Sequence, residues 1–364
     1  MKILGIESSC DETSAAVVEN GRRLLSNVVV SQIDIHAQYG GVVPEIAARS
    51  HIEAINPVIE QALTQADCNW DDIDAIAVTY APGLIGSLLV GTLAARTAAI
   101  VRSKPLYAIH HVEAHVYANF ITEQKDSEGQ AALVLPAAQP QFPMLALIVS
   151  GGHSQLVLFR DHGDYTLLGQ TQDDAVGEAF DKVAKILGLP YPGGPSISAA
   201  ALRGNPQAYR LPKARMAGAY DFSFSGLKTA VLRAVQREVG VDIRFPSHEL
   251  SARLTDKQRD DFAASFQHTA IETLVDKTEQ AYLDYSPASV VIAGGVAANR
   301  ELRRQLSARI SAGIEYAPMS LCTDNAAMIA SLGYYYAEQC QPADPYDFEV
   351  IPSISMTDAT WASV

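Results

Sequence analysis

Two histidines four residues apart form the most specific chemical pattern in this sequence. His111 and His115 lie in the run 110–115, at the start of an alanine-rich segment that predicts a helix reaching residue 120. Residues i and i+4 lie one above the other on the same face of a helix, so both imidazoles can reach one metal ion. The same spacing also fits an ordinary surface or core pair, and a third ligand decides between the two interpretations.

Asp324 is the candidate third ligand. It lies in the stretch 321–330, where an acid precedes an apolar segment with the character of a helix. Two histidines and one carboxylate with open coordination positions form a set suited to iron(II) or zinc. The alternative interpretation is that Thr323 or Asp324 caps the helix that follows.

Glu113, between the two histidines, argues against a peptidase. In zinc peptidases with the pattern H-E-x-x-H, the glutamate lies beside the metal and acts as general base. Here Glu113 is two residues from each histidine. At about 100° per residue its carboxylate is turned to the other side of the helix. The spacing therefore predicts a metal site without a peptidase base.

Three glycine-rich turns in the second half of the chain predict a nucleotide site. Such turns expose backbone N–H groups, which hold phosphate oxygens without a cationic side chain. The turns are Ser150-Gly151-Gly152, Gly193-Gly194-Pro195 and Gly294-Gly295. One such turn usually reflects backbone conformation alone, but three within one half of the chain favour a nucleotide.

Two polar residues lie near these turns, each with an open alternative. Asp181, in the amphipathic segment 177–185, can accept hydrogen bonds from a ribose, or it can pair with Lys185 four residues further on. Asn299 can contact a base or a sugar, or it can cap the helix that begins there.

The elements that carry these residues occur twice along the chain. Strand 2–6 reaches a polar turn and two further strands follow it, and strand 144–149 reaches the turn 150–154 in the same way. Each half later has a strand that runs into a glycine turn and a helix, at 75–101 and at 290–309. An internal duplication explains this order. It predicts two lobes whose turns line one cleft.

The length of 364 residues predicts two lobes. The expected segments are a first lobe at 1–122 plus about 322–345, a linker at 123–142, a second lobe at 143–321 with a helical insertion at about 200–255, and a tail at 346–364. The stretch from Gln341 onward is rich in Asp and Pro, which predicts a loosely packed extension.

Composition excludes several protein classes. The chain has 27 Lys and Arg residues against 41 acids, and its net charge of −14 argues against indiscriminate binding to nucleic acid or to anionic membranes. The four cysteines are scattered without a C-x-x-C pair, which indicates reduced thiols and a cytoplasmic protein. We expect no signal segment. The apolar run 84–101 is interrupted by Gly, Thr and Arg, so it predicts a buried helix rather than a membrane span.

Six motifs together resemble the bacterial TsaD family of tRNA threonylcarbamoyladenosine transferases. They are Glu7-Ser8-Ser9-Cys10-Asp11-Glu12-Thr13, Gly40-Gly41-Val42-Val43-Pro44-Glu45, His111-Val112-Glu113-Ala114-His115, Val149-Ser150-Gly151-Gly152-His153, the segment 177–181, and Cys322-Thr323-Asp324-Asn325. The resemblance spans nearly the whole chain. It departs from the family pattern in Ala114, which replaces a glycine, and in a longer linker at 123–141.

The resemblance implies an α/β architecture, the duplicated actin/Hsp70/sugar-kinase (ASKHA) fold with two lobes around a central cleft. It also implies transfer of the threonylcarbamoyl group from threonylcarbamoyl-AMP to N6 of adenosine 37, in tRNAs that read ANN codons, with release of AMP. The implied partners, besides the tRNA and threonylcarbamoyl-AMP, are the paralogue TsaB and the ATPase TsaE, without a membrane.

The resemblance also assigns site residues. The implied metal ligands are His111, His115 and Asp324, holding one divalent metal per chain, with Fe²⁺ expected and Zn²⁺ as the alternative. The implied substrate contacts are Ile148, Val149, Ser150, Gly151, Gly152, Asp181, Gly194 and Asn299.

The chemistry of the implied reaction points to a catalytic pair. The acceptor amine is a weak nucleophile because its lone pair is delocalised into the purine. Catalysis therefore has to position the amine, stabilise the departing phosphate and manage a proton. Asp11 and Glu12, on the polar turn of the first half, are the predicted pair. The alternative is a solvated acidic hairpin turn.

Two other functions compete with group transfer, and the charge of the chain limits its binding to tRNA. The alternatives are a metallopeptidase and a non-catalytic nucleotide-binding switch, which would need no histidine ligands. A tRNA surface requires Lys and Arg contacts to phosphates. The candidate cations are Arg210, Lys213, Arg215, Arg300, Arg303, Arg304 and Arg309. This supply is small, so we expect a composite surface completed by a partner that docks on the apolar stretch 88–100, with core burial as the alternative for that stretch.

Overall fold

The computed structural model describes residues 1–125 and 133–359. The chain forms two compact units: unit 1 comprises Met1–Gln141, Arg160–Tyr165 and Glu315–Val364, and unit 2 comprises Phe142–Phe159 and Thr166–Ile314. Part of the expected linker and the end of the expected tail lie outside the described residues. The lobe boundaries expected from the repeat stay a prediction.

Strands and helices alternate along both units. The strands are β1 (Lys2–Glu7), β2 (Glu12–Glu19), β3 (Arg23–Ser31), β4 (Ala75–Ala81), β5 (Leu106–His110), β6 (Glu123–Gln124), β7 (Met144–Val149), β8 (Ser154–Asp161), β9 (Asp164–Gln170), β10 (Ser289–Ala293) and β11 (Ile314–Tyr316). The helices are α1 (Ile33–Ala37), α2 (Pro44–Ala66), α3 (Ile85–Arg102), α4 (His111–Tyr117), α5 (Val176–Leu187), α6 (Gly193–Ala201), α7 (Ser225–Glu238), α8 (Asp256–Tyr285), α9 (Arg300–Arg309), α10 (Met319–Cys322) and α11 (Ala326–Gln339).

The two sheets repeat one topology. Their strand orders are β5-β4-β1-β2-β3-β6 and β11-β10-β7-β8-β9. The first strand of each unit, β1 or β7, pairs antiparallel with the strand that follows it, β2 or β8. On its other side it pairs parallel with a strand from much later in the chain, β4 or β10. This shared order confirms the internal duplication predicted from the sequence.

Small residues bring α11 directly onto the sheet of unit 1. A Cβ atom at Gly5 in β1 would lie 2.3 Å from the carbonyl oxygen of Ala326, and one at Gly333 would lie 2.5 Å from Ala77 Cβ. Ser331 of the same helix donates a hydrogen bond to the carbonyl of Gly21. The strands β1 and β4 are almost fully buried, which explains why they read as continuous apolar runs.

Helix α3 is amphipathic rather than wholly buried. Leu88, Gly91 and Ala95 face the interior, whereas Leu89 and Leu93 are 52% and 65% exposed. The expectation of a buried helix is therefore correct for one face only. Helix α3 is long and apolar enough to cross a membrane, but core helices of soluble proteins can have the same length and composition.

The described part of the tail is packed against unit 1, so the expectation of a loose extension is wrong there. Phe348 makes an edge-on contact with Tyr80, the two ring centroids being 6.4 Å apart, and the Ile351 N–H donates to the carbonyl of Tyr80. Met356 is 2% exposed. A few well-spaced apolar side chains supply this burial, and the surrounding Asp and Pro residues obscure them in the sequence.

Candidate functional site

The carboxyl ends of three neighbouring strands define one polar edge of unit 1. Strand β4 runs parallel to both β1 and β5, so all three end at the same side of the sheet. Glu7 is the last residue of β1, Thr79 lies two residues before the end of β4, and α4 starts directly after β5. The histidine helix and the polar turn 8–11 therefore meet at this edge.

The predicted metal ligands come together here. The ring centroids of His111 and His115 are 4.7 Å apart, as expected for adjacent turns of α4. Asp324 lies between α10 and α11, and its Oδ1 is 3.5 Å from His111 Nε2 and 3.3 Å from His115 Nε2. The three ligand atoms lie within 4.8 Å of one another. The cap of α11 is Asn325, whose side chain accepts from the Met328 N–H, so Thr323 and Asp324 do not cap this helix.

The donor set fits a divalent cation. Neither ring nitrogen of His115 has a hydrogen-bond partner within the described residues, although both are buried. Leaving a buried polar atom unpaired costs about 1–3 kcal/mol, and a cation bound at His115 Nε2 would remove part of that cost. Two imidazoles with one carboxylate suit iron(II) or zinc.

Glu7 contacts Nδ1 of His111, the ring nitrogen other than the one near Asp324. Its carboxylate is fully buried, and Oε2 lies 3.0 Å from His111 Nδ1. Burial acts to raise the pKa of Glu7, but the charge and hydrogen bond of His111 outweigh it, so the pKa is lowered. Burial acts to lower the pKa of His111, and the charges of Glu7 and Asp324 raise it to about 9.

Asp11 and Glu12 lie on the turn between β1 and β2, in the same unit as the metal ligands. Burial raises the pKa of Glu12 to about 9, and the charges of Asp324 and Asp11 act in the same direction. Ser31 donates a hydrogen bond to Glu12 Oε1 at 3.1 Å. With this pKa Glu12 holds a proton at neutral pH, which is unlike a solvated acidic turn.

Neighbouring segments hold this turn in place. His51 of α2 contacts both the Thr13 hydroxyl, at 2.8 Å, and the Cys10 carbonyl, at 3.0 Å. The Leu84 N–H donates to the Ser9 carbonyl. A Cβ atom at Gly83 would lie 2.6 Å from that same oxygen, so only glycine allows the two loops to approach so closely.

Glu113 is buried among tyrosines. Its side chain is fully buried, and its Oε2 accepts a hydrogen bond from Tyr165 at 3.4 Å. Burial, and to a smaller extent the charge of Glu113, raises the pKa of Tyr80 to about 12. Glu113 thus faces the tyrosines of unit 1, in agreement with the geometry predicted from helical spacing.

The expected substrate residues lie in unit 2, and five of them, at 148–152, form the end of β7 and the turn after it. Ile148 and Val149 end β7, and the Ser150 N–H donates to the carbonyl of His153 to close the turn. Space is open around Gly151 and Gly152. Gly177, at the start of α5, packs so closely that a Cβ atom there would lie 2.5 Å from Ser150 O.

Asp181 connects α5 to α6. Its Oδ1 accepts a hydrogen bond from the Gly193 N–H at 2.6 Å, which anchors the first turn of α6 beside it. The position of a Cβ atom at Gly194 is unobstructed. The Gly193 N–H is thus occupied by Asp181, and the space beside Gly194 is open.

Asn299 caps α9, the alternative that the sequence left open. Its Oδ1 accepts from the N–H groups of Glu301 and Leu302, at 2.9 and 3.1 Å. Its Nδ2 donates to Gln267 and Ser198, at 3.0 and 3.2 Å. The amide is therefore fully hydrogen-bonded, so any contact with a substrate has to share or displace one of these bonds.

The candidate cations differ in how far their charge is already paired. Lys213 bridges Glu272 and Asp276, while Arg304 and Arg309 pair with acids on α9 and α8. Arg210, Arg215 and Arg300 are exposed, and the part of the chain that the structure describes shows no ion pair for them. Arg210 and Arg215 line a groove of about 1180 Å³ beside α8.

The sequence comparisons match the whole chain to one family. The family model described as "TsaD: tRNA N6-adenosine threonylcarbamoyltransferase" matches residues 23–331. A relative of that name from Thermomicrobium roseum is 50% identical over 351 residues, 94% of each chain. Another, from Dehalococcoides mccartyi, is 49% identical over 357 residues, which is 98% of this chain and all of the relative.

A structural likeness agrees at the level of fold. A nucleotide- and phosphate-bound structure of full-length HypF matches with a TM-score of 0.53 at 12% identity, covering 93% of this chain and 46% of HypF. The duplicated α/β architecture is thus the ASKHA fold that the motifs implied. The chain belongs to the TsaD family of tRNA N6-adenosine threonylcarbamoyltransferases.

Proposed function

We propose that this chain transfers the threonylcarbamoyl group of threonylcarbamoyl-AMP to N6 of adenosine 37 in tRNAs that read ANN codons, and releases AMP. Family membership supports formation of N6-threonylcarbamoyladenosine. The convergence of His111, His115 and Asp324 is the observation that carries the proposed reaction site. Under this proposal the enzyme works in the cytoplasm.

The metal in this proposal is iron(II), and zinc is the alternative that the same ligands accept. His111 Nε2, His115 Nε2 and Asp324 Oδ1 would hold it. The buried His115 nitrogens, which make no hydrogen bond within the described residues, support this assignment. When bound, a divalent cation would polarise the oxygens of the carbamoyl phosphate group.

Residues of unit 2 bind the adenylate in the proposal. The open turn at Gly151 and Gly152 and the unobstructed Gly194 leave room for phosphate and ribose oxygens against backbone N–H groups. Asp181 supports this role because it already orders the first turn of α6 through Gly193.

Asp11 and Glu12 handle the proton of the acceptor amine. Asp324 and Asp11 both lie close enough to Glu12 for their charges to raise its pKa, in addition to the larger effect of burial. A pair of acids in which one group holds a proton can donate and accept within the same turn.

A peptidase activity is not supported. A peptidase needs a carboxylate base beside the metal ligands, but Glu113 is buried and bonded to Tyr165. No intrinsic proteolysis is expected from metal-loaded protein.

The partners in the proposal are tRNA, TsaB and TsaE. The exposed apolar side chains Ile85, Leu89 and Leu93 repeat every four residues along α3, as expected for a face that docks on another protein. Among the candidate cations, only Arg210, Arg215 and Arg300 lack an ion pair within the described residues, and this small number supports a tRNA surface completed by a partner.

Mass spectrometry of tRNA nucleosides tests the proposal. Purified chain, TsaB and TsaE are incubated with threonylcarbamoyl-AMP and transcripts of an ANN-reading tRNA. We expect modified adenosine and an equal amount of AMP. An otherwise identical transcript with guanosine at position 37 is the control and should yield neither. Absence of product from complete mixtures would refute the proposed transfer.

Metal content is measured on the same preparations. Elemental analysis should give about one metal per chain for a single three-ligand site, and His115→Ala or Asp324→Ala should lose it. Equal metal content in wild type and variants would favour the nucleotide-binding switch.

A further inference from the structure

We propose that Glu7 is a positioning residue for the metal site, because its carboxylate fixes which nitrogen of His111 faces the metal. The proposal rests on the metal site assigned above. It concerns a residue outside the three ligands, one that the sequence shows only as the end of an apolar strand.

The contacts of Glu7 are those of a fixed acceptor. Its Oε1 accepts from the Ser9 N–H at 2.5 Å, and Oε2 accepts from the Thr79 hydroxyl at 2.5 Å. Oε2 also lies 3.0 Å from His111 Nδ1. Burying a carboxylate is costly unless hydrogen bonds compensate, so these three contacts hold the side chain in one orientation.

The chemistry of the carboxylate determines the tautomer of His111. An ionised carboxylate only accepts hydrogen bonds, so its partner nitrogen, Nδ1, has to carry a proton. The lone pair of the neutral ring is then on Nε2, the nitrogen that lies 3.5 Å from Asp324 Oδ1. Metal-bound histidines commonly donate their second N–H to such a carboxylate, and loss of that partner lowers metal affinity ten- to hundredfold.

Ser9 is the other candidate for this role. Its hydroxyl lies 3.2 Å from His111 Nδ1. A hydroxyl both donates and accepts, so Ser9 accommodates either tautomer and cannot select one. The structure therefore assigns the selection to Glu7.

The variant Glu7→Gln tests the assignment because it keeps the size of the side chain. If the amide NH₂ faces His111, Nδ1 becomes an acceptor and Nε2 becomes protonated. If the NH₂ faces Ser9, it meets the Ser9 backbone N–H, so two hydrogen-bond donors face each other without an acceptor. Either orientation should weaken Zn²⁺ binding about ten- to hundredfold, measured by competition with a chelator on the full chain.

Two further variants separate positioning from a general loss of structure. Ser331→Ala removes a buried hydrogen bond to Gly21 elsewhere in unit 1, and it should leave Zn²⁺ affinity unchanged even where it lowers thermal stability. Ser9→Ala should change the affinity less than Glu7→Gln does. Where Glu7→Gln does not fold, Thr79→Val is used, which removes one donor to Glu7 and should weaken Zn²⁺ binding less than tenfold but measurably.

Nitrogen NMR of histidine-labelled, Zn²⁺-loaded wild type gives an independent readout. We expect a protonated Nδ1 and a metal-bound Nε2 for His111. Metal bound through Nδ1, or equal Zn²⁺ affinity in wild type and Glu7→Gln, would overturn the inference. Wild type that binds no metal would instead refute the metal site itself, so the two failures are distinguishable.

Discussion

Buried acids and histidines at the carboxyl edge of one sheet determine the chemistry of unit 1. Glu7 has a lowered pKa and faces His111, whereas Glu12, a few residues away, has its pKa raised to about 9 by burial and by the charges of Asp324 and Asp11. The two acids differ because His111 stabilises the charged form of Glu7, whereas Glu12 has anionic neighbours. One turn thus supplies both a fixed anion and a group that holds a proton.

Removing the acids of the turn should abolish transfer while leaving the metal site in place. We expect Asp11→Asn and Glu12→Gln each to slow formation of the modified nucleoside about a hundredfold or more, since positioned acids and bases contribute on that scale. Rates come from nucleoside mass spectrometry under single turnover, alongside elemental analysis. Asp34→Asn, on exposed α1, is the control with full activity. Undiminished rates in both variants would remove the pair from the mechanism.

His162 should make the stability of the protein depend on pH. Burial lowers its pKa to about 4, and its ring stacks on Tyr335 and contacts the hydroxyl of Tyr117. The nearby charges of Asp161 and Glu338 act to raise the pKa but do not outweigh burial. Below pH 6.5 the unfolded chain binds a proton that the folded chain does not, so stability falls as pH decreases toward 4.

The measurement compares urea unfolding of wild type and His162→Gln at pH 7.5 and 5.5. Wild type should lose about 1 kcal/mol more than the variant over this interval, allowing for partial exposure of the ring. The difference between the two proteins isolates His162 from other titrating groups. An identical loss in both would show that the ring titrates normally in the folded state.

Local spacing explains which site residues the sequence revealed. His111 and His115 are neighbours within one helix, so their pairing followed from helical geometry. Glu7 was missed because its partners Thr79 and His111 are 72 and 104 residues away, and only the parallel arrangement of β1, β4 and β5 brings them together. Its one signal was a charged residue at the end of an apolar strand. Asn299 is the cap of α9, one of the two roles that the sequence left open, and its contact with a substrate stays a prediction.

Among the elements, α3 carries the apolar face proposed above as a docking surface. Leu89 and Leu93 are more than half exposed on its outer face, while the opposite face packs on α2 and β4. We expect Leu89→Asp combined with Leu93→Asp to weaken association with TsaB at least about thirtyfold, as loss of central apolar contacts does. Light scattering coupled to gel filtration measures it.

The control for this surface is Leu283→Asp, which changes a 69% exposed leucine on α8 of unit 2. It should leave the association intact, and neither set of changes should alter metal content. Normal complex formation by the α3 variant would place the partner elsewhere.

Strong periodicity decided which elements were predictable. Strands β1 and β7 lie close to the expected positions 2–6 and 144–149 because their apolar patterns are regular. Helix α2 begins at Pro44, a residue that suits the first turn of a helix. In the segment 290–309 the helix expected after the glycine turn is interrupted, because Gly295–Ala298 forms a separate short turn before the Asn299 cap. The tail packs through scattered contacts with Tyr80. Its apolar residues follow no helix or strand period, so the sequence pattern did not predict this packing.

At the scale of the whole molecule, charge governs the interaction with tRNA. A chain at −14 repels a polyanion, so the isolated protein should bind tRNA weakly and with strong salt dependence. Arg210→Gln, Arg215→Gln and Arg300→Gln should each lower affinity and reduce the salt slope by about one. Filter binding over a range of salt concentrations, with and without TsaB, measures both quantities.

Lys213→Gln is the matched control, because Glu272 and Asp276 already neutralise that ammonium. It should change tRNA affinity less than the arginine variants do. A larger effect at Lys213, or tight binding by the isolated chain that TsaB does not improve, would contradict a composite surface.

Unit 1 is discontinuous in sequence, and this has a consequence during translation. Its sheet is complete once residues 1–125 have been made, but α11, which covers β1 through Gly5, is synthesised after nearly all of unit 2. At 5–20 residues per second the ribosome needs roughly 10–40 s for the intervening segment. Throughout that time the nascent sheet exposes an apolar face, so we expect cellular chaperones to bind the emerging chain until Asp324 and α11 arrive together and close unit 1.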